Sequence, residues 1–415
     1  MANKHTISDL YQMQSLPLQA KIQMTRRRIS EWVDVFGEDG IYVSFSGGKD
    51  STVLLDIARK DYPDVKAVFV DTGLEYPEIR SFVKGFENVD WIKPKMTFKQ
   101  IIEKYGYPFI SKEVSGCVDG SRKYLRILTD RQTDRQTDRQ TDRQTDRQTD
   151  RQTVPYSAFM ADLLGVDRRQ DKDNVQYQQI KTGNIPKEPV RYKILLGTYK
   201  HKEKGVETDE FSKMYDRSKY KFFLDAPFNI SSMCCNVMKK QPIHKYGKDT
   251  DRKPMTAQMA SESKLRTQKW LANGCNGFDM KSPISNPMSF WTEQDVLLYI
   301  YENKLPIASV YGDVVIDYEA MGQVEGQMDM SQLASEFGIF DVGRPILKTT
   351  GVNRTGCMFC GYGCHLEKSP NRFERMKETH PKQYNYIMKP VSDGGLGYKE
   401  IIDWINEHGN MNIKY

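Results

Sequence analysis

The sequence lacks any run of apolar residues long enough to span a bilayer, and its first residues lack the pattern of a secretory signal peptide. It also lacks a strong excess of charge, because 61 lysines and arginines stand against 55 aspartates and glutamates, a net charge of +6. The first absence predicts that the chain binds no membrane, and we expect a cytoplasmic protein. The modest positive charge permits a polyanionic partner without requiring one.

Cysteine is scarce, with seven residues in a chain of 415. In a chain without a signal peptide, cysteines point to metal or redox chemistry rather than to disulfides. Cys357, Cys360 and Cys364 follow the spacing C-x2-C-x3-C in a loop with several glycines. Thiolates at this spacing can face one metal centre, so we expect an iron–sulfur cluster. A structural zinc ion and unmetallated thiols are the alternatives.

The chain has no GxxxxGK[ST] phosphate-binding pattern, but a different glycine-bearing turn joins a strand-like segment to a helix-like one. Residues 41–43 are β-branched and aromatic, as in a strand, and residues 53–59 resemble a helix start. Glycines in the turn let backbone N–H groups approach an anion, and the N-terminus of a helix favours negative charge. A lysine in the turn can neutralise a phosphate oxygen. The residues expected to hold phosphate are Ser44, Ser46, Gly47, Gly48, Lys49, Ser51 and Thr52.

A second strand-like segment also ends in polar residues. Residues 66–70 include a continuous apolar run that suits a buried parallel strand, and Asp71, Thr72 and Gly73 follow it. In open α/β sheets, ligands bind at the carboxyl ends of the strands. We therefore expect the two turns to contribute to one site.

Residues 46–51 (SGGKDS) resemble the PP-loop of the N-type ATP pyrophosphatases and of the phosphoadenosine phosphosulfate (PAPS) reductase family. Residues 71–78 (DTGLEYPE) are similar to a second motif of the PAPS reductase branch. The resemblance implies an α/β fold, a doubly wound parallel sheet flanked by helices, with a helical insert and a cysteine-rich C-terminal segment. It implies that Asp71, Thr72 and Gly73 line an adenine nucleotide, either ATP or a sulfonucleotide such as PAPS or adenylylsulfate. It also allows a magnesium ion.

Two further segments are similar to motifs of this family. Cys234 and Cys235 precede a basic pair and a proline, as in its CCxxRKxxPL element, although methionine stands where the arginine would be. The resemblance implies that Cys235 completes a 4Fe-4S site, with Cys234 and Cys275 as the alternatives. Residues 262–266 resemble the end of a GxRxxESxxR motif, which implies that Arg266 contacts the nucleotide phosphates. The catalytic residues implied are Lys49, Asp50 and Arg266.

The family resemblance implies chemistry at the α-phosphate of a nucleotide. We expect adenylation of the ATP pyrophosphatase type, linked to sulfur transfer and to the iron–sulfur cluster. A true reductase that forms sulfite from PAPS or adenylylsulfate is an alternative, but its ECGLH motif is missing. A regulatory nucleic-acid-binding protein that retains the nucleotide fold is a second alternative.

The sequence divides into segments of different character. Residues 129–152 are six perfect copies of Thr-Asp-Arg-Gln, for which we expect a solvated, partly helical arm without catalytic residues. The following insert alternates basic residues with tyrosines between residues 191 and 221, which suits nucleic-acid binding or an ordinary charged surface. The predicted segments are an N-terminal helix (1–37), a first core part (38–128), the repeat (129–152), the basic insert (153–220), a second core part (221–350) and a cysteine-rich loop with a helical cap (351–415).

Overall fold

The structure is a computed structural model, and it describes residues 3–141, 188–203, 206–208, 210–325 and 344–415. In these ranges the α-helices longer than one turn are α1 (Ile7–Gln14), α2 (Leu18–Phe36), α3 (Lys49–Asp61), α4 (Pro77–Lys84), α5 (Phe98–Tyr105), α6 (Lys112–Thr141), α7 (Val190–Leu196), α8 (Gln241–Thr250), α9 (Lys264–Asn273), α10 (Glu293–Asn303), α11 (Tyr318–Glu325), α12 (Arg372–Thr379), α13 (Pro381–Met388) and α14 (Tyr398–Gly409). The strands in the same ranges are β1 (Ile41–Ser44), β2 (Ala67–Val70), β3 (Val89–Ile92), β4 (Phe109–Ile110), β5 (Lys202–Glu203), β6 (Val206–Glu207), β7 (Lys253–Met255), β8 (Asn276–Gly277), β9 (Ile284–Ser285), β10 (Val314–Ile316), β11 (Leu347–Thr349) and β12 (Gly361–Tyr362).

The chain folds into two compact units. The first unit comprises Met1–Phe98 and Cys235–Met358, and the second comprises Lys99–Cys234 and Phe359–Tyr415. The six segments proposed from the sequence remain a prediction. No helix within the described ranges is long and apolar enough to cross a bilayer.

The first unit is built on a six-stranded sheet with the order β3-β2-β1-β7-β9-β8. Its first five strands run parallel to their neighbours, and the edge strand β8 runs antiparallel to β9. Parallel neighbours need crossover connections, which α3 provides between β1 and β2 and α4 provides between β2 and β3. The expectation of a mostly parallel sheet flanked by helices is therefore confirmed.

The central strands are apolar because parallel strands are covered on both faces. Residues 41–43 of β1 and 67–69 of β2 are almost inaccessible to solvent, and Val53, Leu54 and Ile57 of α3 belong to the same core. Val43 pairs with Ala67, and the next residues of β1 and β2 pair as well. The two strands therefore end side by side, and the loops that follow them leave the same edge of the sheet.

The N-terminal segment forms two helices rather than the single helix expected. Helix α1 ends at Ser15, whose N–H still bonds back into the helix, and Pro17 precedes α2. Proline has no N–H to donate, so it is suited to the start of a helix and not to its interior. The break therefore falls where the sequence places its proline.

The second unit is mainly helical. It contains α6, α7 and α12–α14, a parallel pair formed by β12 and β4, and an antiparallel pair formed by β5 and β6. In the C-terminal segment, where a helical cap was expected, Ile387, Ile401, Ile402 and Ile405 are buried. Helix α6 continues into the Thr-Asp-Arg-Gln repeat as far as Thr141, in agreement with the expected partial helix. The rest of the repeat, and the insert up to residue 187, lie outside the described residues.

Candidate functional site

The loop of residues 44–52, called here the phosphate loop, joins β1 to α3 in a form suited to anions. Gly47 has a φ of +69°, and a β-carbon there would lie 2.6 Å from Val83 Cγ2, so a glycine is needed on both counts. Ser51 Oγ accepts the N–H of Ser46 at 3.1 Å and donates to Gly48 O at 2.9 Å. These bonds hold the loop at the N-terminus of α3, where backbone N–H groups and the helix dipole favour negative charge.

Lys49 opens α3, and only 3% of its surface is exposed. Its ammonium donates to Glu293 Oε1 and to Asn353 O, each at 2.9 Å. Its backbone N–H donates to Tyr311 Oη at 3.3 Å, and this hydroxyl lies 2.6 Å from Thr355 Oγ1. Side chains and backbone from α10, from the turn before β10 and from the segment after β11 thus converge on the lysine of the phosphate loop.

Asp50 follows Lys49 and is largely buried. Its Oδ1 atom has no hydrogen-bond partner among the described residues. Burial raises the pKa of Asp50, while the ammonium of Lys49, 3.9 Å away, and the positive charges of Arg354 and Arg266 oppose this shift. The carboxylate is therefore only partly compensated by its surroundings.

Glu262 and Arg266 are four residues apart, the spacing of one helix face, but they do not share a helix. Helix α9 begins at Lys264, and Ser263 is its extended N-cap, so Glu262 lies in the turn before the helix. The ion pair forms nevertheless, because the Glu262 carboxylate contacts Arg266 directly and Arg354 Nη2 at 2.7 Å. Burial and the neighbouring charge of Arg354 lower the pKa of Arg266. Two guanidinium groups share one carboxylate, so this cluster has positive charge left to attract a phosphate.

The loop after β2 is closed by its own side chains. Asp71 accepts the N–H of Gly73 at 3.2 Å and forms an ion pair with Arg80 at 2.8 Å. The N–H and the hydroxyl of Thr72 donate to the two carboxylate oxygens of Glu75, at 3.1 and 2.6 Å. The parallel pairing of β1 and β2 brings this loop to the same sheet edge as the phosphate loop.

A cleft of about 150 Å³ is lined by both loops. It lies at the carboxyl ends of β1 and β2, where ligands bind in open α/β sheets. Its polar lining comes from Ser44, Ser46, Glu75, Lys239, Thr355 and the backbone of Gly356. The cleft, the phosphate loop and the arginine pair together form the candidate site.

Cys235 and Cys357 belong to the first unit, and both lie near Lys239. Lys239 hydrogen-bonds Cys357, and its ammonium is 3.9 Å from Glu75 Oε1. Burial lowers the pKa of Lys239, but Cys357, Glu75 and Cys235 outweigh burial and raise it. Lys239 therefore keeps a positive charge beside Cys357.

The other cysteines have different surroundings. In the second unit, burial raises the pKa of Cys364 to about 12, and Arg372 donates to Cys360 O at 2.6 Å. In the first unit, Cys275 is buried and accepts a hydrogen bond from Ser289. Within the described ranges, no group of three or more His, Cys, Asp or Glu side chains is arranged to hold a metal ion. The described geometry therefore does not supply a cluster site, and that expectation rests on the cysteine spacing and its chemistry.

Part of the basic insert forms a partly exposed cluster in the second unit, called here the aromatic surface. Its members are Tyr199, Lys200, His201, Phe211 and Tyr215. Tyr215 meets Tyr199 edge to face and stacks on His201, with ring centroids 5.6 and 5.9 Å apart. The Lys200 ammonium lies 5.8 Å from the ring centroid of Phe211, a side chain that is 56% exposed. The alternation seen in the sequence thus brings aromatic and basic groups together.

A family model described as the phosphoadenosine phosphosulfate reductase domain matches residues 40–113 and 188–361, more than half of the chain. This chain belongs to the PAPS reductase family. The PAPS reductase match contains the phosphate loop, the loop after β2, Arg266 and three of the predicted metal-binding cysteines, Cys235, Cys357 and Cys360. It leaves out residues 114–187, which include the Thr-Asp-Arg-Gln repeat.

One curated relative of this PAPS reductase family member is an uncharacterized protein, MJ0973, of Methanocaldococcus jannaschii. The two are 34% identical over 110 residues, which is 20% of this chain and 26% of that protein. The match spans about a quarter of the relative's length. It therefore shows similarity of that part alone, and no activity of the whole chain is inferred from it.

Several residues of the site were missed by sequence reasoning. Glu293 lies between Thr292 and Asp295, the capping box of α10, and neither Glu293 nor Tyr311 belongs to a motif described above. Asn353 and Arg354 lie just before Cys357 and had no assigned role. These residues contact Lys49 or Glu262 only because the fold brings them together. In the sequence, their position close to recognised motifs was the only indication of a role in the site.

Proposed function

We propose that this protein binds an adenine nucleotide in the cleft beside the phosphate loop and acts at its α-phosphate. The observation that supports this most strongly is that three basic side chains, Lys49, Arg354 and Arg266, act on the carboxylate of Asp50 beside the phosphate loop. Lys49 stands at the N-terminus of α3, and Arg266 and Arg354 share a single carboxylate nearby. Their charges all act on Asp50, so the three cations belong to one electrostatic site. A polyphosphate is the ligand that such a site favours.

The reaction that we favour is adenylation of an acceptor by ATP. The acceptor attacks the α-phosphorus, the bond from this phosphorus to the bridging oxygen breaks, and pyrophosphate leaves. The N–H groups of the phosphate loop and Lys49 would stabilise the charge that develops on the phosphates. Arg266 and Arg354 would stabilise the leaving pyrophosphate. From the family resemblance, Asp71, Thr72 and Gly73 would line the nucleoside, whereas the residue of their loop that lines the cleft is Glu75.

Reduction of a sulfonucleotide to sulfite is the alternative reaction. It needs a cysteine that attacks sulfur, and the ECGLH motif that carries this cysteine in the reductases is missing here. Incubation with ATP, or with PAPS and a dithiol reductant, separates the two reactions, because the first releases pyrophosphate and the second releases sulfite as the dithiol is oxidised to a disulfide. Sulfite from PAPS, without pyrophosphate from ATP, would overturn adenylation.

Nucleotide binding itself is tested by Lys49→Ala. Loss of a charge-assisted contact should weaken ATP binding by about 1.5–3 kcal/mol, or roughly 10- to 100-fold in affinity. Isothermal titration of ATP measures this, and exposed Lys60→Ala, at the other end of α3, is the matched control. Unchanged affinity in a folded Lys49→Ala protein would contradict the assignment of the phosphate loop.

We also propose an iron–sulfur cluster, with Cys235, Cys357, Cys360 and Cys364 as its ligands, and a link to sulfur transfer. Support comes from the chemistry of the donor set, because three thiols within eight residues repel one another as thiolates unless a cation compensates them. Zinc is the alternative metal. No step of the adenylation above passes through the metal.

We propose that the aromatic surface binds nucleic acid, either as the acceptor of the reaction or as a regulatory partner. Phe211 is exposed beside Lys200, and bases stack on such rings while lysines contact phosphates. We expect single-stranded RNA to bind with an affinity that falls steeply with salt, because bound phosphates release counterions. Phe211→Ala should weaken binding by about 1–3 kcal/mol, whereas exposed Tyr386→Ala should not. Binding that is absent at low salt, or independent of salt, would contradict this role.

A further inference from the structure

The ammonium of Lys49 is surrounded by protein oxygens. It donates to Glu293 Oε1 and Asn353 O, each at 2.9 Å, and lies 3.9 Å from Asp50 Oδ1. Glu293 and Asn353 occupy two of the three N–H donors of the lysine, and the Asp50 oxygen is too far away for a hydrogen bond. Because only 3% of the Lys49 surface is exposed, a phosphate can reach its ammonium only if a neighbouring group moves aside.

Glu293 is the group that can exchange at the lowest cost. Asn353 offers a backbone oxygen, and its segment is held by Thr349, whose hydroxyl donates to Val352 O at 3.1 Å and to Asn353 Oδ1 at 3.3 Å. The Glu293 side chain is 50% exposed, so its carboxylate regains water when it leaves Lys49.

The backbone that carries Glu293 is firmly fixed. The side chain of Gln294 accepts the N–H of Leu347 and donates to its carbonyl, both at 2.9 Å. Asp295 is fully buried and binds Lys21 Nζ at 2.7 Å and Arg344 Nη2 at 2.8 Å. The first turn of α10 is thus anchored, and Glu293 can leave Lys49 and return by rotation of its side chain alone.

We propose that Glu293 is a gating residue, which competes with the phosphates of the nucleotide for Lys49. The inference rests on the proposed nucleotide site and adds a determinant of ligand selectivity to it. In the absence of ligand, only a fraction of the molecules have Lys49 released from Glu293 and free to bind phosphate. The apparent affinity for the nucleotide is reduced by that fraction. The penalty applies to ligands that need Lys49, such as ATP, and not to adenosine, which brings no phosphate.

The test compares the wild type with Glu293→Gln, which removes the charge and keeps the shape, and with Glu293→Ala, which removes the carboxylate altogether. Glu302→Gln is the matched control, because Glu302 is exposed on the same helix. Isothermal titration should show that ATP binds about three- to tenfold more tightly to both Glu293 variants, whereas adenosine binds equally to all proteins. A merely structural role for Glu293 would leave ATP affinity unchanged or lower it.

Each result has one interpretation. Tighter ATP binding in the Glu293 variants, with unchanged adenosine binding and a normal control, supports the gate. Equal or weaker ATP binding in those variants overturns the gate and leaves the nucleotide site intact, as does an equal gain for adenosine. If the wild type and all variants fail to bind ATP, the proposed function falls, and the gate falls with it.

Discussion

At the scale of single residues, Asp50 indicates that the candidate site is built at the expense of stability. Its Oδ1 atom is buried without a hydrogen-bond partner in the described residues, and burial raises its pKa despite three neighbouring cations. Lys49, by contrast, is buried with its ammonium well satisfied by Glu293 and Asn353. The free-energy cost of burying a charge without full compensation therefore falls on the Asp50 carboxylate, which retains an acceptor atom without a hydrogen bond.

This cost predicts that Asp50→Asn stabilises the protein at neutral pH. Because the folded protein binds the Asp50 proton more tightly than the unfolded chain, ionisation of Asp50 disfavours folding above the folded-state pKa. The amide removes this charge, and we expect the free energy of unfolding to rise by about 1 kcal/mol at pH 7. The gain should shrink as the pH falls through the folded-state pKa, and vanish below the unfolded-state pKa.

Urea unfolding across this pH range measures the effect. Asp64→Asn is the control, since Asp64 is exposed on the surface. An Asp50→Asn protein that is less stable than the wild type at pH 7 would show that the ion pair with Lys49 outweighs burial.

At the scale of the elements, the first turn of α10 organises the site. Its capping box, Thr292 with Asp295, was visible in the sequence, and the structure confirms both reciprocal bonds. The sequence could not indicate that Asp295 also binds Lys21 of α2 and Arg344, because these partners are brought together only by the packed fold. One helix start thereby fixes α2, the segment before β11 and, through Glu293, the phosphate loop.

The prediction at this scale is that Asp295→Ala is strongly destabilising. It removes the carboxylate from Lys21, a fully buried lysine, and loss of one partner of a buried ion pair costs about 3–5 kcal/mol. Asp279→Ala is the control, because Asp279 faces Lys4 at 3.7 Å on the surface and such pairs contribute about 0–1 kcal/mol. Urea unfolding compares the two variants, and equal losses would contradict the role given to the Asp295 network.

At the scale of the whole molecule, the central sheet was predictable only in its first half. Strands β1 and β2 carry strong apolar runs, and both were found from the sequence. Strands β7, β8 and β9 have two or three residues each, and β7 contains Pro254, so no periodic pattern marks them. They are strands because they pair with neighbours distant in sequence, as Lys253 pairs with Ile41.

The candidate site, like the sheet, was predictable only where local sequence patterns mark its residues. The loops after β1 and β2 carry continuous motifs, and the structure places them at one sheet edge as expected. The residues that act through space, such as Glu293, Arg354 and Tyr311, come from segments far along the chain. A single sequence shows which motifs a segment resembles. The partners of Lys49 come from segments far away in the sequence, and only the packed fold brings them together.

The last prediction concerns the metal content of the full chain. Three cysteines in eight residues, within a glycine-rich loop, have little apolar surroundings to pack against, and coordination would compensate their charge. We therefore expect anaerobically purified protein to be brown, with iron and acid-labile sulfide. The chromophore should be lost in Cys357→Ala and in Cys360→Ala.

Two cysteines outside the predicted set serve as controls. Cys117 is buried on α6, and burial raises the pKa of its thiol, as expected of a packed side chain without a metal. Cys275 is likewise buried, and it accepts a hydrogen bond from Ser289. Both alanine variants should keep their iron, measured by elemental analysis and by visible absorption. Stoichiometric zinc without iron would replace the cluster by a zinc site, and the absence of both metals would overturn the metal assignment while leaving the nucleotide site untouched.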